Sequence, residues 1–287
     1  MTDGTVLVTG ATGNTGRPLV ELLGRRDVPV RAMVRSAAGG EQFGGLPVEV
    51  VVADFDDPEA VSTALAGVER AYLVTPSSER AQEQQERFVE LAAKAGVQHL
   101  VKLSQLAADD LSPVRFLRYH AAVERHIRER GIGFTFLRPN LYFQGLLALA
   151  GPIRDQGVLP APIGDARVSA VDVRDIAAVA AAALTEPGHT GATYTITGPA
   201  AVTHAEIAEA IGAATGRAVT FVDVPPEAFG ASLRGLLPDW QVDGLLEDYA
   251  HYSRGEAADV LPTVAEVTGR APRTVAEFAR DHVDAFR

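Results

Sequence analysis

The stretch Val6-Leu7-Val8-Thr9-Gly10-Ala11-Thr12-Gly13-Asn14-Thr15-Gly16 opens as a strand and closes as a helix. Residues 5–9 are β-branched or apolar without interruption, the pattern of a strand covered on both faces in a parallel sheet. Gly10, Gly13 and Gly16 then permit a tight turn and let a pyrophosphate come close to bare backbone. Pro18 falls in the first turn of the following helix, where its missing N–H costs nothing. Free N–H groups and the positive dipole end at that helix start suit a phosphate anion, so Gly10, Thr12, Gly13, Asn14, Thr15 and Gly16 are candidate cofactor-binding positions. The spacing is G-x-x-G-x-x-G rather than G-x-G-x-x-G, and its weight comes from context: it follows a strand and opens a helix. A glycine-rich structural turn without a ligand is the alternative.

Residues 28–34 read as a second buried strand, and Arg35-Ser36 follow it directly, about twenty residues beyond Gly16. A site built for NAD places Asp or Glu there to hold the ribose hydroxyls, whereas Arg accommodates a 2′-phosphate. The expected cofactor is therefore NADP(H), with Arg35 on the phosphate. Strand alternation puts Arg31 on the same face, as a second basic candidate or a solvated edge charge.

A length of 287 residues allows one large or two small domains, and a hydrophobic content of 47% with 22% charged residues is ordinary for a globular protein. With 26 basic and 37 acidic residues the formal net charge is −11, which disfavours a nucleic-acid partner. The chain has no cysteine, so disulfides, thiolate nucleophiles and Cys-ligated metals are excluded. No apolar run has the length of a membrane span and the N-terminus enters the first strand without a signal peptide, which points to the cytoplasm. Histidines 99, 126, 189, 204, 251 and 282 lack metal-ligand spacing, so no metal is expected.

Farther along, residues 37–45 hold two Gly-Gly pairs and read as a surface connection. A third strand at 48–53 leads into Asp54-Phe55-Asp56-Asp57-Pro58, at the sheet edge that receives ligand. Asp54 and Phe55 could flank an adenine there, while Asp56 or Asp57 caps the next helix with Pro58 in its first position. A fourth strand at 71–75 brings Thr75 and Pro76 to the same edge. Residues 82–95 form an amphipathic helix, and a fifth strand at 99–104 leaves Ser104 directed toward a nicotinamide ring. A helix over 114–130 puts Phe116, His120 and Glu124 on one face. A sixth strand at 134–137 precedes Arg138-Pro139-Asn140, and 140–145 reads as a loop whose Tyr142 and Phe143 could cover a planar substrate. Such alternation predicts an α/β, Rossmann-type doubly wound parallel sheet.

The pattern then changes. Residues 151–166 are rich in Gly and Pro and read as a connection without long elements, followed by a short strand at 169–173 and an alanine-rich helix to 184. The expected division is a dinucleotide-binding domain at 1–139 with a return segment at 168–198, and a smaller, mainly helical domain from 140–167 and 199–287.

With these stations in place, the chain resembles the NmrA-like branch of the atypical short-chain dehydrogenase/reductase superfamily. The likeness rests on residues 8–16, Val34-Arg35-Ser36, Asp54-Phe55-Asp56-Asp57, His120-Ala121-Ala122-Val123-Glu124, Thr135-Phe136-Leu137-Arg138-Pro139-Asn140 and residues 171–177, with bacterial character in 268–273. The resemblance implies an NADP(H)-binding Rossmann domain and a small C-terminal domain closing a substrate cleft over the nicotinamide, with Pro139 and Asn140 among the cofactor-binding residues. It also implies a reductase of small conjugated molecules such as quinones, enones or imine-type intermediates, or else a regulator that binds the cofactor without turnover. The Tyr-x-x-x-Lys pair of ordinary short-chain dehydrogenases would fall at Phe116 and His120, so the phenolic acid is missing. His120 is then the first candidate proton donor and Tyr119 the second; a structural histidine bonded to Glu124 or to the cofactor ribose is the alternative. The expected partner is a small-molecule substrate, with neither nucleic acid nor membrane, and a homodimer is left open.

Overall fold

In the computed structural model, which describes residues 4–287, the chain opens with β1 (Thr5–Val8), where Val6, Leu7 and Val8 have no exposed surface. Burial on both faces is what the unbroken apolar run requires. There follow α1 (Gly16–Gly24), β2 (Val30–Val34), α2 (Ala37–Gly40), β3 (Val48–Val52), α3 (Pro58–Leu65), β4 (Val68–Leu73), α4 (Ala81–Ala95), β5 (His99–Leu103), α5 (Arg115–Arg130) and β6 (Gly133–Pro139). After a 3-10 helix at Phe143–Leu149 come α6 (Ala150–Gln156), β7 (Val158–Ala161), α7 (Val173–Thr185), β8 (Ala192–Ile196), α8 (His204–Thr215) and β9 (Thr220–Asp223). Helices α9 (Pro226–Leu233), α10 (Asp239–Ser253), α11 (Thr263–Thr268), α12 (Val275–Asp281) and α13 (Val283–Phe286) complete the described chain.

One sheet has the strand order β3-β2-β1-β4-β5-β6-β8, and β1 pairs in parallel with both β2 and β4. The pairings β2–β3, β4–β5 and β5–β6 are parallel as well. This is the Rossmann-type doubly wound arrangement. The order reverses at β1, so the C-terminal ends of β1 and β4 flank the topological switch point where such sheets bind ligands.

The chain forms two compact units. The first takes residues 4–111 with Leu117–Arg138 and Ile176–Tyr194. Its core lays Val61 and Leu65 of α3, Phe88 and Ala92 of α4, and Val123 and Ile127 of α5 against Leu7, Ala71, Leu73 and Leu100 of the sheet. The second takes Ser112–Phe116, Pro139–Asp175 and residues 195–287, and holds a two-stranded parallel sheet of β7 and β9 among helices. Residues 168–175 and 195–198, expected with the dinucleotide-binding segment, lie in this second unit. There Ser169 accepts a hydrogen bond from Asn140, and Asp175 accepts one from the Arg273 amide at 2.7 Å. The strand expected at 169–173 is only an isolated bridge between Tyr142 and Val171. Conversely, 151–166 holds more regular structure than its Gly and Pro content suggests. Gly157 in the left-handed region ends α6, and β7 tolerates Pro160 because both strands of a two-stranded sheet are edges. Among the described residues no helix is long and apolar enough to cross a membrane.

His204 opens α8 with 0% exposure, and neither ring nitrogen has a hydrogen-bond partner. Phe221 and Tyr249 pack beside it at 5.8 and 6.0 Å between ring centroids. Burial pushes its pKa down to about 4. The unfolded chain takes up a proton near the ordinary histidine value, whereas the folded chain refuses it until about pH 4. This contribution to stability is therefore intact above about pH 6.5 and is lost as the pH falls toward 4. In His204→Leu the stability lost between about pH 7 and about pH 4.5 should shrink by roughly 2 kcal/mol, read by urea denaturation at the two pH values. An unchanged difference would remove His204 as a source of acid lability.

Candidate active site

The turn after β1 is closed by backbone. Gly10 has φ 55°, and a Cβ there would meet the Val74 side chain at 2.6 Å. A Cβ on Gly16 would lie 2.2 Å from the Gly10 carbonyl oxygen, so no other residue fits without moving main chain. The Gly13 amide donates to the Gly10 carbonyl at 2.9 Å and the Arg17 amide to that of Gly13 at 3.0 Å. Thr15 precedes α1 without capping it, because its hydroxyl accepts a hydrogen bond from the buried Tyr72 hydroxyl at 3.0 Å. No acidic residue occupies the first turn of α1, and Thr12, Gly13 and Asn14 are exposed. The positive end of α1 thus has no counter-charge from its own first turn, and bare backbone lies beside it, two conditions that suit an anion.

Two arginines on β2 or at its end differ in what they bond. Arg31 donates to Glu49 at 2.9 Å and to the carbonyls of Ala64 and Ala66 at 2.7 and 2.8 Å, so its guanidinium caps the C-terminus of α3. Arg35 is exposed at the end of β2 and makes no ion pair among the described residues. Ser36 beside it accepts a hydrogen bond from the Gly39 amide at 3.3 Å.

The other expected cofactor positions in the first unit follow strand ends. Asp54, exposed after β3, accepts from the Asp56 amide at 2.9 Å, and Phe55 packs edge-on against Phe88 at 5.9 Å. Asp57 is the helix cap, accepting from the Glu59 and Ala60 amides with Pro58 next in the chain. Thr75 is buried after β4 and accepts from Gln85 at 2.8 Å, while Pro76 is exposed. In the second unit, Pro139 is buried, and Asn140 spends both amide hydrogens on Ser169 and the Ala257 carbonyl at 2.8 and 2.9 Å. The expected loop with two aromatics is corrected by the 3-10 helix that starts at Phe143. Phe143 is 2% exposed and stacks on Phe278 at 5.4 Å, so it is core rather than a surface for a substrate; Tyr142 is half-buried.

His120 bonds Lys102, not the Glu124 of the structural alternative, while Ser104 takes that carboxylate. Lys102 and Ser104 are two apart on or just after β5, spaced about 6.6 Å, and His120 and Glu124 are four apart on α5, spaced about 6 Å. The near match lets strand and helix form two rungs. Lys102 Nζ lies 2.7 Å from His120 Nδ1, and the Ser104 hydroxyl donates to Glu124 at 2.6 Å. Arg138 on β6 grips both Glu124 oxygens at 2.9 and 2.6 Å, and Arg128 adds a bond at 3.3 Å. The Tyr119 ring lies tilted at 36° beside the His120 ring, with 4.1 Å between centroids. The one signal that could have revealed this network is a lysine inside the otherwise apolar strand His99-Leu100-Val101-Lys102-Leu103. Among the described residues no cluster of His, Asp or Glu could hold a metal.

The charges are set by enclosure. Burial pushes the Lys102 ammonium down to about 7; the Glu124 carboxylate opposes that shift and Arg138 adds to it. Burial, then the charges of Lys102 and Arg138, hold His120 well below its ordinary value, so its imidazole is neutral at pH 7. For Glu124 burial alone would raise the pKa, but hydrogen bonds from Arg138 and Ser104 with the nearby positive charges outweigh it and leave the carboxyl low. Its contribution is present above the ordinary Glu range and is lost as the pH falls through the lowered value. Glu124→Ala strands Arg138 and should destabilise the protein by about 3 kcal/mol in urea denaturation at pH 7, with Glu124→Gln losing less. Equal stability of Glu124→Ala and the parent would show that the network does not hold α5 to the sheet.

The NmrA-like family profile matches residues 2–279 of this chain. The chain is similar to the NAD(P)H azoreductase of Xenophilus azovorans, 38% identical over 282 residues that cover 98% of this chain and 99% of that protein. It is 37% identical over 291 residues to the (4-alkanoyl-5-oxo-2,5-dihydrofuran-3-yl)methyl phosphate reductase of Streptomyces griseus, covering 98% and 99% of the two chains. Among solved structures it is similar to the NADPH-dependent quinone oxidoreductase of Escherichia coli in complex with NADPH, with a TM-score of 0.86 and 30% identity over 96% of this chain and 99% of that one. Profile, sequence and fold agree along nearly the whole length: the chain belongs to the NmrA-like family.

Proposed function

We propose that the protein is an NADPH-dependent reductase that delivers hydride to a small conjugated acceptor of the quinone, enone or imine class. Relatives matched over nearly their whole length are an NAD(P)H azoreductase, a dihydrofuranylmethyl phosphate reductase and a quinone oxidoreductase, and this chain is an NAD(P)H-dependent oxidoreductase too. The observation that carries the NADP(H) reading is the turn in which a Cβ on Gly16 would strike the Gly10 carbonyl, opening onto a helix start with no acidic residue. That turn would hold the pyrophosphate, and Arg35, free of any ion pair among the described residues, would hold the 2′-phosphate with Ser36 beside it. Asp54 and Phe55, after β3, remain the proposed neighbours of the adenine, and Thr75, Pro76 and Ser104 the proposed positions toward the nicotinamide. When bound, the reduced nicotinamide supplies a hydride.

The acceptor class follows from what the residues lack and what the relatives reduce. Phe116 and His120 stand where an ordinary short-chain dehydrogenase has tyrosine and lysine, so the phenol of that pair is absent. Azo compounds, quinones and an unsaturated dihydrofuranone phosphate are the named substrates of the relatives, and all are electron-poor conjugated systems. Hydride addition to such a system spreads the developing charge and lessens the demand on a protein acid. His120 is the proposed proton donor to the reduced product, with Tyr119, whose ring is tilted against the imidazole, as the second candidate.

Titration with NADPH and NADH should show at least tenfold tighter binding of NADPH, and Arg35→Ala should remove most of that preference, since a charge-assisted bond contributes roughly 1.5–3 kcal/mol. NADPH oxidation should then be found with at least one of 1,4-naphthoquinone, an azo dye and a cyclic enone. Failure of both nucleotides to bind would overturn the cofactor reading. Tight NADPH binding with no oxidation by any acceptor would overturn the acceptor class and favour a cofactor-binding regulator.

A further inference from the structure

His120 poses a chemical problem for the proposed reductase, on which this inference rests. A neutral imidazole is a very weak acid, so it donates a ring proton only if a second proton arrives at its other nitrogen. That other nitrogen is Nδ1, and Lys102 Nζ lies 2.7 Å from it. Nε2 has no hydrogen-bond partner among the described residues, and the residue keeps 8% of its surface.

Lys102 is not placed there as half of a salt bridge. It has 0% exposure and no carboxylate within ion-pair distance among the described residues, and its bonded partners are two neutral acceptors, His120 Nδ1 and the Leu103 carbonyl at 2.9 Å. The nearby carboxylate of Glu124 is occupied by Ser104, Arg138 and Arg128. Fully enclosing an ammonium with no carboxylate bonded to it is unfavourable, and an apolar side chain would serve packing better. The position makes sense if the proton on Nζ is meant to move.

We infer that Lys102 is a positioning and relay residue: its ammonium locks His120 in the Nε2–H tautomer and delivers a proton to Nδ1 as the Nε2 proton leaves for the reduced product. In that step the Nε2–H bond breaks as a bond forms to the product's anionic atom, and an Nζ–H bond breaks as Nδ1–H forms. Imidazole is neutral before and after, and the ammonium becomes an amine. The site resets by the reverse path, water protonating Nε2 and Nδ1 returning its proton to Nζ. The charged or titratable groups around the pair are His120 and Glu124 on α5 and Arg138 on β6, with Arg128 and the Tyr119 ring one contact farther out. Lowering of the Lys102 pKa to about 7 by burial places the exchange in the working pH range.

The test combines a spectroscopic reading that needs no turnover with a kinetic one. In protein labelled with ¹⁵N-histidine, His120 should be the Nε2–H tautomer below about pH 7 and shift toward Nδ1–H as the pH rises through the Lys102 titration. His120→Gln assigns the resonance. Lys102→Met should abolish that pH-linked change. Lys102→Arg, which keeps a permanent donor, should hold the Nε2–H tautomer at every pH. With 1,4-naphthoquinone as acceptor, kcat should fall at least tenfold in both variants while the Kd for NADPH changes less than twofold, and the alkaline limb of the parent pH profile should vanish. A parent His120 tautomer that ignores pH overturns the relay even if Lys102→Met fails to fold, and so does a Lys102→Met enzyme with parental kcat and pH profile. A protein that shows the tautomer switch but reduces no acceptor leaves the Lys102–His120 coupling standing and overturns the reductase reading instead.

Discussion

A carboxylate closed off from water governs how β5, α5 and β6 come together. Glu124 has no exposed surface and stays ionised only because Ser104, Arg138 and Arg128 surround it with donors. Those donors come from two strands and from one turn farther along the same helix. A slip of β5 by one residue would turn Ser104 and Lys102 to the opposite face together, leaving the carboxylate short of a donor and the ammonium away from His120. The register that satisfies Glu124 therefore also sets the Lys102–His120 contact, so the demand for a satisfied buried charge and the geometry of the proposed proton donor have one solution.

The turn at the end of β1 works by a different kind of constraint. Its closure is steric, a matter of how near the Gly16 backbone sits to the Gly10 carbonyl, with one side-chain bond from Tyr72 to Thr15 holding the start of α1 against β4. Because Thr15 is occupied in that bond, the helix start is left without a side-chain cap. What would be a defect in a purely structural helix is a feature where an anion is to sit. Electrostatic demand shapes one end of the proposed reaction centre and backbone exclusion the other, and both are read directly from residue type.

How much of this was visible in the chain depends on the range of the interaction. The glycine spacing, the apolar run ahead of it, Arg35 after the second strand and the shared face of Phe116, His120 and Glu124 are local patterns, readable within a few turns. Arg31 and Arg35 look equivalent by strand alternation, and only the approach of the α3 C-terminus, with the carbonyls of Ala64 and Ala66, commits Arg31 to structure. Phe143 looked like a loop aromatic because nothing near it in sequence announces Phe278, which covers it. Asn140 ended a recognisable motif, yet its amide is used by Ser169 and by the Ala257 backbone far along the chain.

Sequence by itself determined the α/β alternation, the closed glycine turn after β1 and the absence of cysteine chemistry, since each follows from intrinsic backbone preference, side-chain periodicity or composition. Tertiary structure decided which polar groups are free and which are occupied. The pairing of Lys102 with His120, the four-residue network on Glu124 and the burial of Phe143 all join residues whose separation in the chain carries no periodic signal. Burial and hydrogen-bond partnership belong to the packed chain, and they set both the charge on Lys102 and the tautomer of His120.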